Sequence, residues 1–187
     1  DLEGKTIYPS FVDLHSSYGL PVKDIKGTDA MAAFMGSGNR PMVKEAPRTA
    51  EYWNRGIHVQ YDAVSEFKPD EKSAEALRKA GFGATLSHKT DGIARGSGVL
   101  VHLSEKDAHE LILKGCASTH YSFAKGSSKD MYPSAQYGAI ALLRQMHLDG
   151  QWYGELPEGA YYDAALEALT RTEQLPRIFE VKEKNEV

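Results

Sequence analysis

The stretch FVDLHSSYG (11–19) opens as a buried strand at Phe11 and Val12 and then ends in Asp13, His15, Ser16 and Ser17, before a turn at Gly19 and Pro21. Polar side chains on the last residues of a buried strand are a common place for chemistry. An aspartate and a histidine there read as a metal site with one ligand missing. Two further histidines, His88 and His120, stand near the C-terminal ends of apparent strands. That is the face on which parallel α/β sheets build their sites, with ligands collected from separate strands, so wide spacing in sequence does not exclude a shared site.

Other chemistry-bearing residues read more plainly. His147 falls on a helix and reads as structural or solvent-exposed, and His58, His102 and His109 have no histidine close by in sequence. HELIL (109–113) misses the H-E-x-x-H zinc pattern, because Leu113 stands one helical turn along where the second ligand is needed. GSGN (36–39), GFG (81–83) and RGSG (95–98) each contain G-x-G, yet none completes G-x-G-x-x-G between a strand and a helix, and no phosphate-cradling G-x-x-x-x-G-K-[ST] occurs. These read as turns that need positive φ. Cys116 reads as a small core residue on an apolar strand. The polar, aromatic stretch HYSFAKGSSKDMYPSAQYG (120–138) reads as a long loop capping the sheet, with Ser134 as the N-cap of the following helix. That helix start is also a place where an anion could bind.

The elements that must position these residues follow from periodicity. TIYPSFVDL (6–14) is a strand by its β-branched and aromatic content. A Gly/Pro-punctuated connection runs on through MGSGNRPMVKEAPR (35–48), long enough to suggest a functional or mobile loop. GIHVQYDA (56–63) suggests a short strand. In KPDEKSAEALRKAGFG, Asp70 caps a helix with an Ala74, Leu77, Ala80 stripe, and Gly81 ends it before the strand FGATLSH. GVLVHL (98–103) follows as a strand after the turn ARGSG, KDAHELILK (106–114) fits a short helix or a strand, and CASTHYSF (116–123) is a strand. Ala139, Leu142, Leu143 and Met146 recur at i, i+3, i+4 and i+7 and make 134–153 an amphipathic helix. Tyr162, Ala165, Leu166 and Leu169 repeat that spacing, and PRIFEV (176–181) closes with a strand. Strands alternating with helices predict an α/β fold with right-handed βαβ units and a parallel sheet flanked by helices.

The totals narrow the function. The 187 residues are 41% hydrophobic and 26% charged, enough for one domain with a core. A net charge of −4, spread along the chain, offers no basic face for nucleic acid and no polybasic membrane patch. One cysteine excludes an internal disulfide framework and a CxxC zinc site, and no apolar run approaches the ~18 residues of a membrane span. The chain begins at Asp1 and stops at IFEVKEKNEV just after an apparent strand, where a parallel sheet would continue through a crossover. A single domain over 1–187 that is a piece of a longer protein is therefore the expectation, and no compartment is read from it.

Taken together, the chain resembles the amidohydrolase superfamily, specifically its imidazolonepropionase-like members. GKTIYPSFVDLHSSYGLP is similar to that family's barrel entry, G-K-x-V-x-P-G-[FL]-I-D-x-H-x-H-x-G, with Asp13 and His15 on its Asp and first His. FKPDEKSAEALRKAGFGATLS, GIARGSGVLVHL, YPSAQYGAIALLRQMHLDGQWY and LPRIFEV resemble the units that follow. The likeness spans the chain but only the first half or so of the family's barrel domain. It implies a partial TIM-like (β/α)₈ barrel and hydrolysis of C–N bonds by hydroxide on a divalent metal such as zinc, which lowers the pKa of water to about 7. It implies metal ligation at His15 and Glu180, with Asp13, Ser17, His88 and His120 lining a pocket for a small-molecule substrate.

The ligand set departs from the family at Ser17, where a second histidine belongs, and at Glu180, Val181 and Lys182, where H-A-H-like residues belong. The comparison points to a modified or abandoned metal site. A barrel of about 250 residues needs eight strands, so the chain is expected to pack against the remainder of a barrel or another copy of itself and to be inactive alone. The alternative is a non-catalytic relative acting as a binding or structural module.

Overall fold

The computed structural model describes residues 3–21, 50–157, 159–182 and 184. The glycine-rich connection through 35–48 lies outside these residues. Among them, β1 (Phe11–Ser16), β2 (Phe82–Ser87), β3 (Ala94–His102), β4 (Ile112–Ser122) and β5 (Arg177–Glu180) form one sheet in the order β1-β2-β3-β4-β5. The helices are α1 (Ala63–Glu66), α2 (Glu71–Lys79), α3 (Ala108–Leu111), α4 (Gln136–Gly154) and α5 (Ala164–Thr172). No described helix is long and apolar enough to cross a membrane.

The sheet is mixed, which corrects the expectation of parallel strands throughout. β1 runs parallel to β2 and β4 parallel to β5, but β3 is antiparallel to both its neighbours. The connections explain the reversal. Only six residues (88–93) join β2 to β3, and only a short link with the single turn of α3 joins β3 to β4. A parallel crossover needs about a dozen residues or more, so both links are confined to antiparallel pairing. β1, β2, β4 and β5 still share one direction. Their C-terminal ends and the start of β3 therefore meet along one rim of a curled, half-barrel sheet.

Several elements follow their sequence signals. The Asp70 carboxylate accepts from the Ser73 N–H at 2.9 Å to cap α2, and Gly81 takes φ +95° after it. Asp163 caps α5 by accepting from the N–H groups of Ala165 (2.9 Å) and Leu166 (3.0 Å). Ala139, Leu142, Leu143 and Met146 are buried, as their spacing requires. They join Ile57, Ile93, Tyr121 and the apolar stripe of α5 in one core cluster, while Val99, Val101 and Leu103 pack with Phe67, Ala74 and Leu111 in another. α4 starts at an N-cap of Ala135 rather than Ser134, with no side-chain cap bond. Residues 106–114 divide, with Ala108–Leu111 helical and Ile112 opening β4. The expected strand at 56–63 reduces to two isolated bridges, Ile57 to Ala94 and Asp62 to Ser97.

Two differences bear on the site. ARGSG, read as a turn, is the first half of β3. Gly96 has φ +75°, and a side chain there would collide with the Tyr61 carbonyl, so the glycines serve a bulged strand pressed against its neighbours rather than a turn. Among the described residues β1 is an edge strand, and Phe11, Val12 and Leu14 are 69%, 50% and 58% exposed, not buried.

Candidate functional site

The rim brings His15, His88 and His120 together from β1, the end of β2 and β4. His15 Nδ1 lies 3.1 Å from His88 Nε2. The His88 and His120 rings stack with centroids 3.7 Å apart and 10° between planes. His88 and His120 are buried, whereas His15 is exposed. The stack exists because β3 carries glycine opposite: a Cβ on Gly98 would stand 2.7 Å from His120 Nε2.

Burial, above all, pushes His88 down to about 4 and His120 down to about 3, with the neighbouring His15 and Arg95 acting in the same direction. Both rings are therefore neutral at pH 7. Neutrality settles the proton positions. The Lys89 carbonyl, 2.8 Å from His88 Nδ1, can only accept, so Nδ1 carries the His88 proton and Nε2 is bare. His15 Nδ1–H then donates to that bare nitrogen, which leaves His15 Nε2 outside this bond on an exposed side chain. On the other side of the stack, His120 Nε2 is bonded to the Ser118 hydroxyl at 2.9 Å.

Arg95, near the start of β3, is buried beside this cluster. Its Nε donates to the Gly92 carbonyl at 3.1 Å and its Nη1 to Glu180 Oε2 at 2.5 Å. Burial by itself would raise the Glu180 carboxyl, but the bond and charge of Arg95, with Lys182 at 3.5 Å from the other oxygen, hold it below the ordinary carboxylate range. Sequence reasoning passed over Arg95 because it read ARGSG as a turn. The available signal was an arginine in a run of small residues flanked by apolar segments, where a buried strand would oblige it to find a carboxylate.

The remaining expected residues sit apart from this cluster. The Asp13 carboxylate accepts from the backbone N–H of His15 at 3.0 Å and so shapes the strand end. Ser17 lies past the end of β1, where its carbonyl closes a turn to Leu20. Of the stretch 120–138, residues 120–122 belong to β4 and α4 begins at Gln136. The loop between them is tied down on the rim side. Ser127 donates its N–H (2.6 Å) and hydroxyl (2.5 Å) to Asp91, and Asp130 accepts from the Arg55 N–H at 2.8 Å. Cys116 is half-buried in β4, and His147 is half-buried beside Tyr121.

A divalent metal is what the family resemblance implies here, and the donors as arranged do not fit one. A metal centre of that kind takes at least three protein donors. Among the described residues, no group of three or more His, Cys, Asp or Glu side chains is placed to hold an ion. His15 and His88 bring two nitrogens together, but His120 lies flat against His88 with its Nε2 on Ser118, and Glu180 is engaged by a guanidinium.

The chain superposes on an amidohydrolase from Thermotoga maritima MSB8 with a TM-score of 0.67 at 17% sequence identity. The overlap covers 95% of this chain and 46% of the Thermotoga protein, so the chain spans about half that protein's length. The likeness is one of fold: the half-barrel sheet and its helices are amidohydrolase-like. No family model and no curated protein matches the sequence.

Proposed function

We propose that this chain forms one wall of a small-molecule pocket in an amidohydrolase-like barrel, and that the pocket binds its ligand without a metal-bound hydroxide. The observation that carries this reading is the histidine cluster on the rim, with the buried, uncharged rings of His88 and His120 stacked at 3.7 Å and His15 hydrogen-bonded to His88. Neutral imidazoles offer hydrogen bonds without net charge. The exposed His15 Nε2 offers one hydrogen-bonding nitrogen, and the uncharged rings of His88 and His120 beside it suit an uncharged, amide-bearing molecule. The rest of a barrel, or a second copy of the chain, would supply the opposite wall and cover β1.

A second reading, a metal-dependent hydrolase of C–N bonds, is favoured by one distance. Two nitrogens ligating one zinc at ~2.0–2.1 Å with tetrahedral angles stand roughly 3.3 Å apart, close to the His15–His88 separation. Elemental analysis of the protein, after dialysis against zinc and then buffer, separates the two. The binding reading expects far less than one metal per chain and no chelator-sensitive amide hydrolysis. One metal per chain, released by His15→Ala together with hydrolysis, would overturn it.

A further inference from the structure

We infer that the cleft between α4 and the start of α5 binds a small organic cation of the quaternary ammonium class, held between the rings of Trp152 and Tyr161 and by the charge of Asp149. The site uses no residue of the rim cluster and is independent of the reading above. The cleft measures about 350 Å³ and is lined by Asp149, Trp152, Tyr161 and Leu166. That falls within the ~300–1,000 Å³ of small-molecule sites. Trp152 is 55% and Tyr161 44% exposed, so both rings keep surface for a ligand.

A single exposed ring is ordinary on a protein surface. Two rings flanking a carboxylate in one concave site attract a cation, because the negative ring faces and the charge act together. The parts are fixed in advance. The Asp149 carboxylate accepts from the Tyr52 hydroxyl at 2.5 Å and from the Gln145 side-chain amide at 2.6 Å. Tyr161 meets the Tyr153 ring edge-on at 6.4 Å, and its hydroxyl lies 3.4 Å from Asp163. Groups held in place before binding lower the entropic cost of capture.

The protein leaves the charge of the cleft unanswered. Both bonds to Asp149 come from neutral donors, and among the described residues no lysine or arginine pairs with Asp149 or Asp163. Residues 145–170 hold Asp149, Glu155, Glu158, Asp163 and Glu167 and neither lysine nor arginine. The field is felt at Tyr52, whose phenol is pushed up by burial and then by its bond to Asp149, with the charges of Asp149 and Asp163 acting the same way. Such a field favours a cation over an anion. A primary ammonium is strongly hydrated, whereas a methyl-covered one gives up little water to lie against Trp152, Tyr161 and Leu166.

The test is titration of the full chain with tetramethylammonium and with tert-butanol, its uncharged counterpart, followed by the ligand methyl resonances in NMR. Tetramethylammonium is expected to bind saturably, at least about tenfold more tightly than tert-butanol, with its methyl signal shifted upfield by the rings. Trp152→Leu and Asp149→Asn should each weaken it about fivefold or more, with unchanged circular dichroism. Should Asp149→Asn not fold, Tyr161→Leu carries the same test beside Trp152→Leu. His15→Ala, at the rim, should leave binding unaltered. Equal binding of tert-butanol, binding that survives Trp152→Leu, or no saturable binding overturns the inference and leaves the rim reading standing. Loss of binding in a folded His15→Ala variant places the cation at the rim and overturns it as well.

Discussion

His88 Nε2 accepts from His15 Nδ1 across 3.1 Å, although 73 residues separate the two in sequence. The bond joins the edge strand β1 to the end of β2 and depends on His88 staying neutral. Its direction is dictated by the Lys89 carbonyl on the far side of the His88 ring. This short chain of bonds makes the rim sensitive to protons, to space and to the partner of β1.

Acid is expected to loosen the rim. His88 titrates near 6.5 when unfolded and about 4 when folded. Between those values the unfolded chain binds a proton that the folded chain refuses, so stability rises with pH across this window and is lost as pH falls through it. The full difference for His88 is on the order of 3 kcal/mol. His120, held at about 3, adds to the same trend, while Glu180, held below the ordinary carboxylate range, keeps its charge over most of the window. Urea denaturation at pH 7 and pH 4.5 measures the effect, and His88→Gln should reduce it. Equal stability at both pH values would contradict the assignment.

Space at the stack is set by Gly98. Its added methyl in Gly98→Ala would lie 2.7 Å from His120 Nε2, so the His120 ring must leave its place over His88. Overpacking of this kind costs about 1–3 kcal/mol. Ring proton shifts of His88 and His120 in the NMR spectrum report the stack directly. Unchanged shifts in a folded Gly98→Ala variant would show that the ring does not depend on the glycine.

The exposed edge carries the third expectation. Val12 and Leu14 are half or more exposed on β1, which hydrogen-bonds to β2 on one side. Edge strands with apolar side chains recruit further strands. The isolated 187-residue chain is expected to self-associate in sedimentation experiments, and Val12→Lys to shift it toward monomer. A monodisperse wild-type monomer over the micromolar to millimolar range would rule this out.

Local signals were enough wherever an element is made by its own residues. Asp70 announced one helix start, Gly81 its end, and the spacing of Ala139, Leu142, Leu143 and Met146 the buried face of α4. These rest on interactions within one or two helical turns, which a linear sequence displays directly. The positions of His15, His88 and His120 at strand ends were legible for the same reason. Strand direction was not. The reversal of β3 follows from link length only once the strand boundaries are known, and those were hidden by glycines that bulge a strand as readily as they make a turn. The pairing of Arg95 with Glu180 was equally out of reach, because it joins β3 to β5 across 85 residues. By itself, the sequence determined that His15, His88 and His120 stand near strand ends. The tertiary structure decided their partners, because a partner is chosen by which strands lie side by side, and that depends on the closure of the whole sheet.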